Sequence, residues 1–87
     1  MDMSRSISGV LAEVFCAQDQ YGDFKSTHEA YGVLAEEVAE LLDAIRANNA
    51  EAIDIEATQV SAVALRLSHQ CKIAMADASA FGERSKL

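Results

Sequence analysis

The sequence predicts an all-α fold, a bundle of three to four helices per chain, on three observations. Proline is absent and glycine occurs only four times in 87 residues, and with abundant alanine this is a helix-forming composition. Apolar residues recur at three- and four-residue spacing along three stretches, and no period-two run of the kind a strand needs occurs anywhere. Short clusters of turn and capping residues separate those stretches.

The first helix is expected from about Ser4 to Asp19, where Ile7, Val10, Leu11, Val14 and Phe15 form an amphipathic stripe. Gln20-Tyr21-Gly22-Asp23 closes it, and Phe24-Lys25 belongs to a short connection. The second helix is expected to start at Ser26 or Thr27. With Ser26 as the cap, Glu29 three residues on completes a capping box. It continues through Leu34, Val38, Leu41, Leu42 and Ile45 and ends near Asn48-Asn49. The third begins around Ala50 and meets no break signal before about Ser79, with Gly82 and a charged tail after it.

A chain of 87 residues has room for one domain, residues 1–87. So short a chain buries a modest fraction of its surface, so it either packs very efficiently or shares its core with a second copy. Dimerisation is therefore expected to complete the bundle. A hydrophobic content of 51% suits a globular fold and argues against disorder.

The net charge of −7 excludes nucleic-acid backbone binding as the main role, because phosphates would be repelled over most of the surface. It still permits a phosphorylated small molecule where cations neutralise the local field. The first nine residues lack both a basic start and an apolar run, so no signal peptide is visible. Nothing approaches the run of about 18 apolar residues that spans a membrane. Cys16 and Cys71 fit no zinc spacing and are read as small apolar residues on helices. The expected location is the cytoplasm.

On a helical wheel advancing about 100° per residue, Tyr31, Leu34, Val38, Leu41, Leu42 and Ile45 define the apolar face of the second helix. Glu36, Glu40 and Asp43 lie opposite, as a solvated helix face would. Glu37 falls at the edge of the stripe between Ala44 and Leu41, so it and Glu40 can converge from neighbouring turns. On the third helix Ile53, Val60, Val63, Leu67 and Cys71 form the stripe, with Glu56 in the middle and Gln59 and Arg66 on one flank. A carboxylate among core-facing aliphatics must be protonated, paired or metal-bound, since burying it bare costs several kcal/mol. Glu56 could pair with Arg66, or reach water if the helix is rotated. It could also meet the carboxylates of the second helix around a hard cation with oxygen ligands.

The run from His28 to Ile45, HEAYGVLAEEVAELLDAI, followed by Glu56 to Leu67, EATQVSAVALRL, resembles the MazG-type nucleotide pyrophosphohydrolases. These belong to the all-α NTP pyrophosphatase superfamily, with the dimeric dUTPases and phosphoribosyl-ATP pyrophosphatases. The family pattern is EExxE, a spacer, then ExxD; this chain supplies Glu36-Glu37-Val38-Ala39-Glu40 and Glu56-Ala57-Thr58-Gln59. The resemblance covers about half of the chain, from Ser26 to Leu67. It implies Glu37 and Glu40 as metal ligands from one helix and Glu56 from the next, with Glu36 as a further ligand or orienting a water. It also implies Mg²⁺ or Mn²⁺ and a nucleoside triphosphate split into monophosphate and pyrophosphate. Glu36 and Glu37 are the catalytic candidates, and a homodimer or homotetramer is implied. Gln59 stands where the pattern has aspartate, a neutral ligand that removes one negative charge and weakens metal binding. Lys25, Arg66 and Lys72 are the candidate phosphate partners, each of them otherwise a surface or pairing residue. His28 is read as lying near the N-cap, and His69 has no carboxylate spacing of a di-iron motif. Tyr31 is expected in the core.

Two further functions stay open. One is a catalytically degenerate helical oligomer that binds nucleotide or a protein partner without hydrolysis. The other is a structural module whose acidic face keeps a helical dimer in solution.

Overall fold

The computed structural model describes residues 1–77, which form three helices: α1 (Ser4–Tyr21), α2 (Thr27–Arg46) and α3 (Ala50–Ala76). The fold is all-α, with no strand among the described residues. α1 runs two residues past its expected end. The expected end of α3 near Ser79 lies outside the described residues. None of the described helices is long and apolar enough to cross a membrane.

The ends of the helices follow from local chemistry. Asp2 opens α1 by accepting from both the N–H and the hydroxyl of Ser4. Ser26 caps α2 as expected, its Oγ accepting from the Glu29 N–H at 3.0 Å. The return half of the capping box is displaced by one residue, because the Glu29 carboxylate takes the Lys25 N–H at 2.8 Å instead of that of Ser26. At the end of α2, Asn48 adopts φ 54°, and two bonds run backwards, Asn48 N–H to Ile45 C=O and Asn49 N–H to Ala44 C=O. This is a Schellman closure with asparagine in the left-handed position. Asn49 then caps α3, its side chain accepting from the Ala52 N–H at 3.1 Å.

α3, about 40 Å long at 1.5 Å per residue, is the central element. Both α1 and α2 pack on it and hardly on each other. The core between α2 and α3 is made of Phe24, Ala30 and Val63, flanked by Val33, Leu34 and Leu67.

The helix faces are rotated from those the apolar pattern predicts. On α2 the inner face is Ala30, Val33, Leu34, Glu37, Leu41 and Ala44, with Ala30 and Ala44 buried. Tyr31, expected in the core, is 71% exposed, and Val38, Leu42 and Ile45 are exposed as well. On α1, Val10 and Val14 are half-buried, but Ile7, Leu11 and Phe15 of the same stripe face out, and no residue of this helix is buried. Cys16 is exposed and Cys71 half-buried; both are free thiols. The physical reason is close packing. Small residues let two helix backbones approach, and Ala30 and Ala44 are the buried residues of a contact face shared with Val33, Leu34 and Leu41, while Tyr31, Val38, Leu42 and Ile45 are left on the outside.

Candidate metal centre and cleft

Glu37, Glu40 and Glu56 come together. Each offers a carboxylate oxygen, and the three oxygens lie within 4.8 Å of one another. Two reasons place them there. Glu37 and Glu40 stand three residues apart on α2, one turn, and the antiparallel packing of α2 on α3 sets Glu56 opposite them. The rotation of α2 strengthens this arrangement. Glu37 sits not at the edge of the contact face but near its centre, between Leu34 and Leu41, and is half-buried. Glu56 is also half-buried, whereas Glu40 opens to solvent.

Crowding of like charge is visible in the titration of Glu37. Its carboxyl is held above the ordinary value of 4.5, first because burial disfavours the charged form, then because Glu40, Glu56, Glu36 and Glu13 repel it. A bound cation reverses that repulsion. Oxygens on opposite sides of Ca²⁺ sit about 4.6–5.2 Å apart, and around Mg²⁺ about 4.0–4.2 Å, from typical metal–oxygen distances. The three glutamate oxygens lie within 4.8 Å of one another, so side-chain rotation would have to draw them closer before all three could reach one small cation.

Beside the glutamates lies a cleft of about 450 Å³ that opens between α1 and α2 with α3 as its floor. Glu36, Glu37 and Gln59 line one end; Tyr21, Asp23, Lys25 and Arg66 line the other; Phe24, Val33, Ala62 and Val63 give it an apolar middle. Gln59, one turn beyond Glu56, turns its amide side of the helix into the cleft. Lys25 stands at the rim, exposed. Lys72 does not join the cleft; its ammonium donates to the Ser68 hydroxyl one turn back along α3 at 2.8 Å. His28 and His69 are both exposed and line neither the cleft nor the glutamate group.

Arg66 is the buried polar residue among the described residues, 7% exposed. It does not pair with Glu56, ten residues and about 15 Å of helix away. Its Nε donates to Gln18 Oε1 at 2.8 Å, its Nη2 donates to the Gly22 carbonyl at 2.9 Å, and its guanidinium lies 4.4 Å from the centre of the Phe24 ring. One turn on, the Gln70 side chain brackets Phe24: the Phe24 N–H donates to Gln70 Oε1 at 3.0 Å and Gln70 Nε2 donates to the Phe24 carbonyl at 2.8 Å. Two polar residues of α3 thus clamp the connection that forms the wall of the cleft.

Sequence reasoning missed Glu13, Tyr21, Asp23 and Glu29 as cleft residues. Glu13 carried no such mark as Glu56: it lies to one side of the stripe of Ile7, Val10, Leu11, Val14 and Phe15 on the wheel, and only the packing of α1 sets it on the half-buried side with Val10, Val14 and Ala17. Tyr21, Asp23 and Glu29 are exposed and carry no periodic signal, since only the fold of the connection brings them to the cleft.

No family model, no curated protein and no solved structure matches this chain.

Proposed function

We propose that this chain is a MazG-like, metal-dependent hydrolase that cleaves nucleoside triphosphates between the α- and β-phosphates, releasing monophosphate and pyrophosphate. The observation that carries the reading is the convergence of Glu37 and Glu40, from the EExxE run, with Glu56 from the next helix, their oxygens within 4.8 Å of one another. Glu37, Glu40 and Glu56 would hold Mg²⁺ or Mn²⁺, and Gln59 would add a neutral amide oxygen. When bound, the cation neutralises phosphate charge and acidifies water next to it. Glu36, on the cleft side of the same turn, orients the attacking water, and Glu36 or Glu37 accepts its proton. The chemistry is mostly positioning and charge compensation, which suits a site built from two rigid helices.

The chain works in this reading as a homodimer or homotetramer. Five apolar residues are buried in the described chain and fourteen large ones are exposed, too small a core for a separate monomer of this size.

Incubation with a panel of NTPs and dNTPs plus Mg²⁺ or Mn²⁺ tests the activity. The expected result is one pyrophosphate per monophosphate, reduced at least a hundredfold by Glu37→Gln or Glu56→Gln. A second reading, nucleotide binding without hydrolysis, is favoured by the neutral Gln59 in place of a carboxylate. Its signature is a nucleotide- and metal-dependent rise in melting temperature without turnover, with pyrophosphate release appearing only in Gln59→Asp.

A further inference from the structure

The two ends of the cleft differ in chemistry. Along α3 the floor passes from Gln59 through the pair Ala62 and Val63 to Arg66, about 10 Å at 1.5 Å per residue, with Glu56 one turn beyond Gln59. A ligand that engages both ends must be elongated, with a cation-binding group at one end and a different group at the other. That second group meets Tyr21 and Asp23. Tyr21 is 67% exposed and its ring takes no part in the core, yet it lines the cleft.

The orientation of Asp23 is fixed by a relay. Arg66 Nε–H can only donate, so Gln18 must present its carbonyl oxygen there. Its amide NH₂ is then turned the other way, and donates to Asp23 Oδ1 at 2.9 Å. Arg66 and Gln70 hold the backbone on either side of Asp23 through the Gly22 carbonyl and both polar atoms of Phe24. The carboxylate is thereby held at the cleft with acceptor capacity to spare and no donor of its own.

From this geometry we infer that Tyr21 and Asp23 form a nucleobase seat selective for guanine, with Arg66 and Gln18 as positioning residues. The inference rests on the nucleotide reading of the cleft. A carboxylate accepts two parallel N–H bonds. Guanine carries adjacent N1–H and N2–H donors on one edge. Uracil and thymine carry a single N–H flanked by carbonyls, and cytosine and adenine set a ring-nitrogen lone pair beside the amino group. Each of these places an acceptor against the second oxygen of Asp23. The ring of Tyr21 supplies a face on which a base stacks.

The test is equilibrium binding of GMP and UMP to the full chain in Mg²⁺, by calorimetry. Neither monophosphate contains the bond that the hydrolase reading cleaves, so the result is independent of turnover. GMP should bind about 10- to 100-fold tighter than UMP, the range expected of one well-made bidentate contact. Asp23→Asn should bring the ratio down at least tenfold. The same variant presents one donor beside one acceptor, so it should bind XMP, with a C2 carbonyl next to N1–H, better than wild type does. That gain cannot come from misfolding. Equal affinity for GMP and UMP, binding of neither, or a ratio that Asp23→Asn leaves unchanged would overturn the seat. The hydrolase reading fails separately, by absence of pyrophosphate from every triphosphate while GMP still binds.

Discussion

Glu37 shows how one side chain links the stability of this fold to its site. Its carboxyl titrates above the ordinary value because it is half-buried among Glu40, Glu56, Glu36 and Glu13. Between the ordinary value of 4.5 and that raised value, the folded chain keeps a proton that the unfolded chain has released. Stability from this group is therefore complete below the ordinary value and is lost as pH rises through the folded one. In EDTA, Glu37→Gln should melt higher than wild type at pH 7, and the difference should close as the pH is taken below 4.5. On the proposed metal site, millimolar Mg²⁺ at pH 7 should reverse the order, since a cation held by Glu37 would stabilise only the chain that keeps the carboxylate. A melting difference that ignores both pH and Mg²⁺ would remove Glu37 from the site. Arg66 works by position rather than by titration. Removing it leaves the Gly22 carbonyl and the Gln18 oxygen without their donor and uncovers the Phe24 ring. Arg66→Met should therefore cost about 2–3 kcal/mol in urea unfolding. Arg66→Lys should recover little of it, because one ammonium cannot serve Gln18 and Gly22 together while lying flat on Phe24.

The elements are decided at their ends. Gly22 has φ 73° and ψ −162°, a backbone region open almost only to glycine. No atom lies within 4 Å of where a Cβ would stand, so Gly22→Ala should cost about 1–3 kcal/mol from the backbone alone. Because the Gly22 carbonyl also holds Arg66, that strain should appear in the cleft. Asn48 gives the opposite sign. It occupies the left-handed position with a Cβ, so Asn48→Gly should be neutral or stabilise by up to about 1 kcal/mol, and Asn48→Ala should destabilise by about the same amount. Urea midpoints of both variants, with the slope of the transition unchanged, are the measurement. The cap at Ser26, the end of α2 near Asn48 and the start of α3 at Ala50 were readable because they are local, each set by residues within a few positions. The αL role of Asn48 and the positive φ of Gly22 carry no such mark.

The whole molecule reveals what α1 lacks. This helix of 18 residues packs on α3 through half-buried valines, alanine and glycine, while Met3, Ile7, Leu11 and Phe15 remain outside, Phe15 at 69% exposure. With Tyr31, Val38, Leu42 and Ile45 outside on α2 as well, the proposed dimer or tetramer has ample apolar surface to cover. Light scattering should give a mass of two or four times 9.4 kDa. The double variant Ile7→Glu/Phe15→Glu should dissociate the assembly or lower its melting temperature in a concentration-dependent way. A wild-type mass of one chain at 0.1 mM would show that α1 keeps its outer stripe in water.

The sequence by itself determined the class, the three helices and most of their boundaries, because composition, capping and 3.6-residue periodicity act within a few residues. It also marked Glu56, a carboxylate in the middle of an apolar stripe, and Glu37 at the edge of one, while Glu40, on the polar face, was drawn in by its three-residue spacing from Glu37 and by the EExxE pattern. It did not determine the rotation of the helices. An apolar stripe spanning a wide arc fits several contact lines, and the one the fold uses buries Ala30 and Ala44 while Tyr31, Val38, Leu42 and Ile45 stay exposed. Only the tertiary structure set Glu37 at the centre of that contact and joined the three carboxylates in space. It alone turned Arg66 from a candidate phosphate partner into the clamp of the cleft wall, because the carbonyl of Gly22 and the amide of Gln18, 44 and 48 residues away in sequence, are brought to it only by folding.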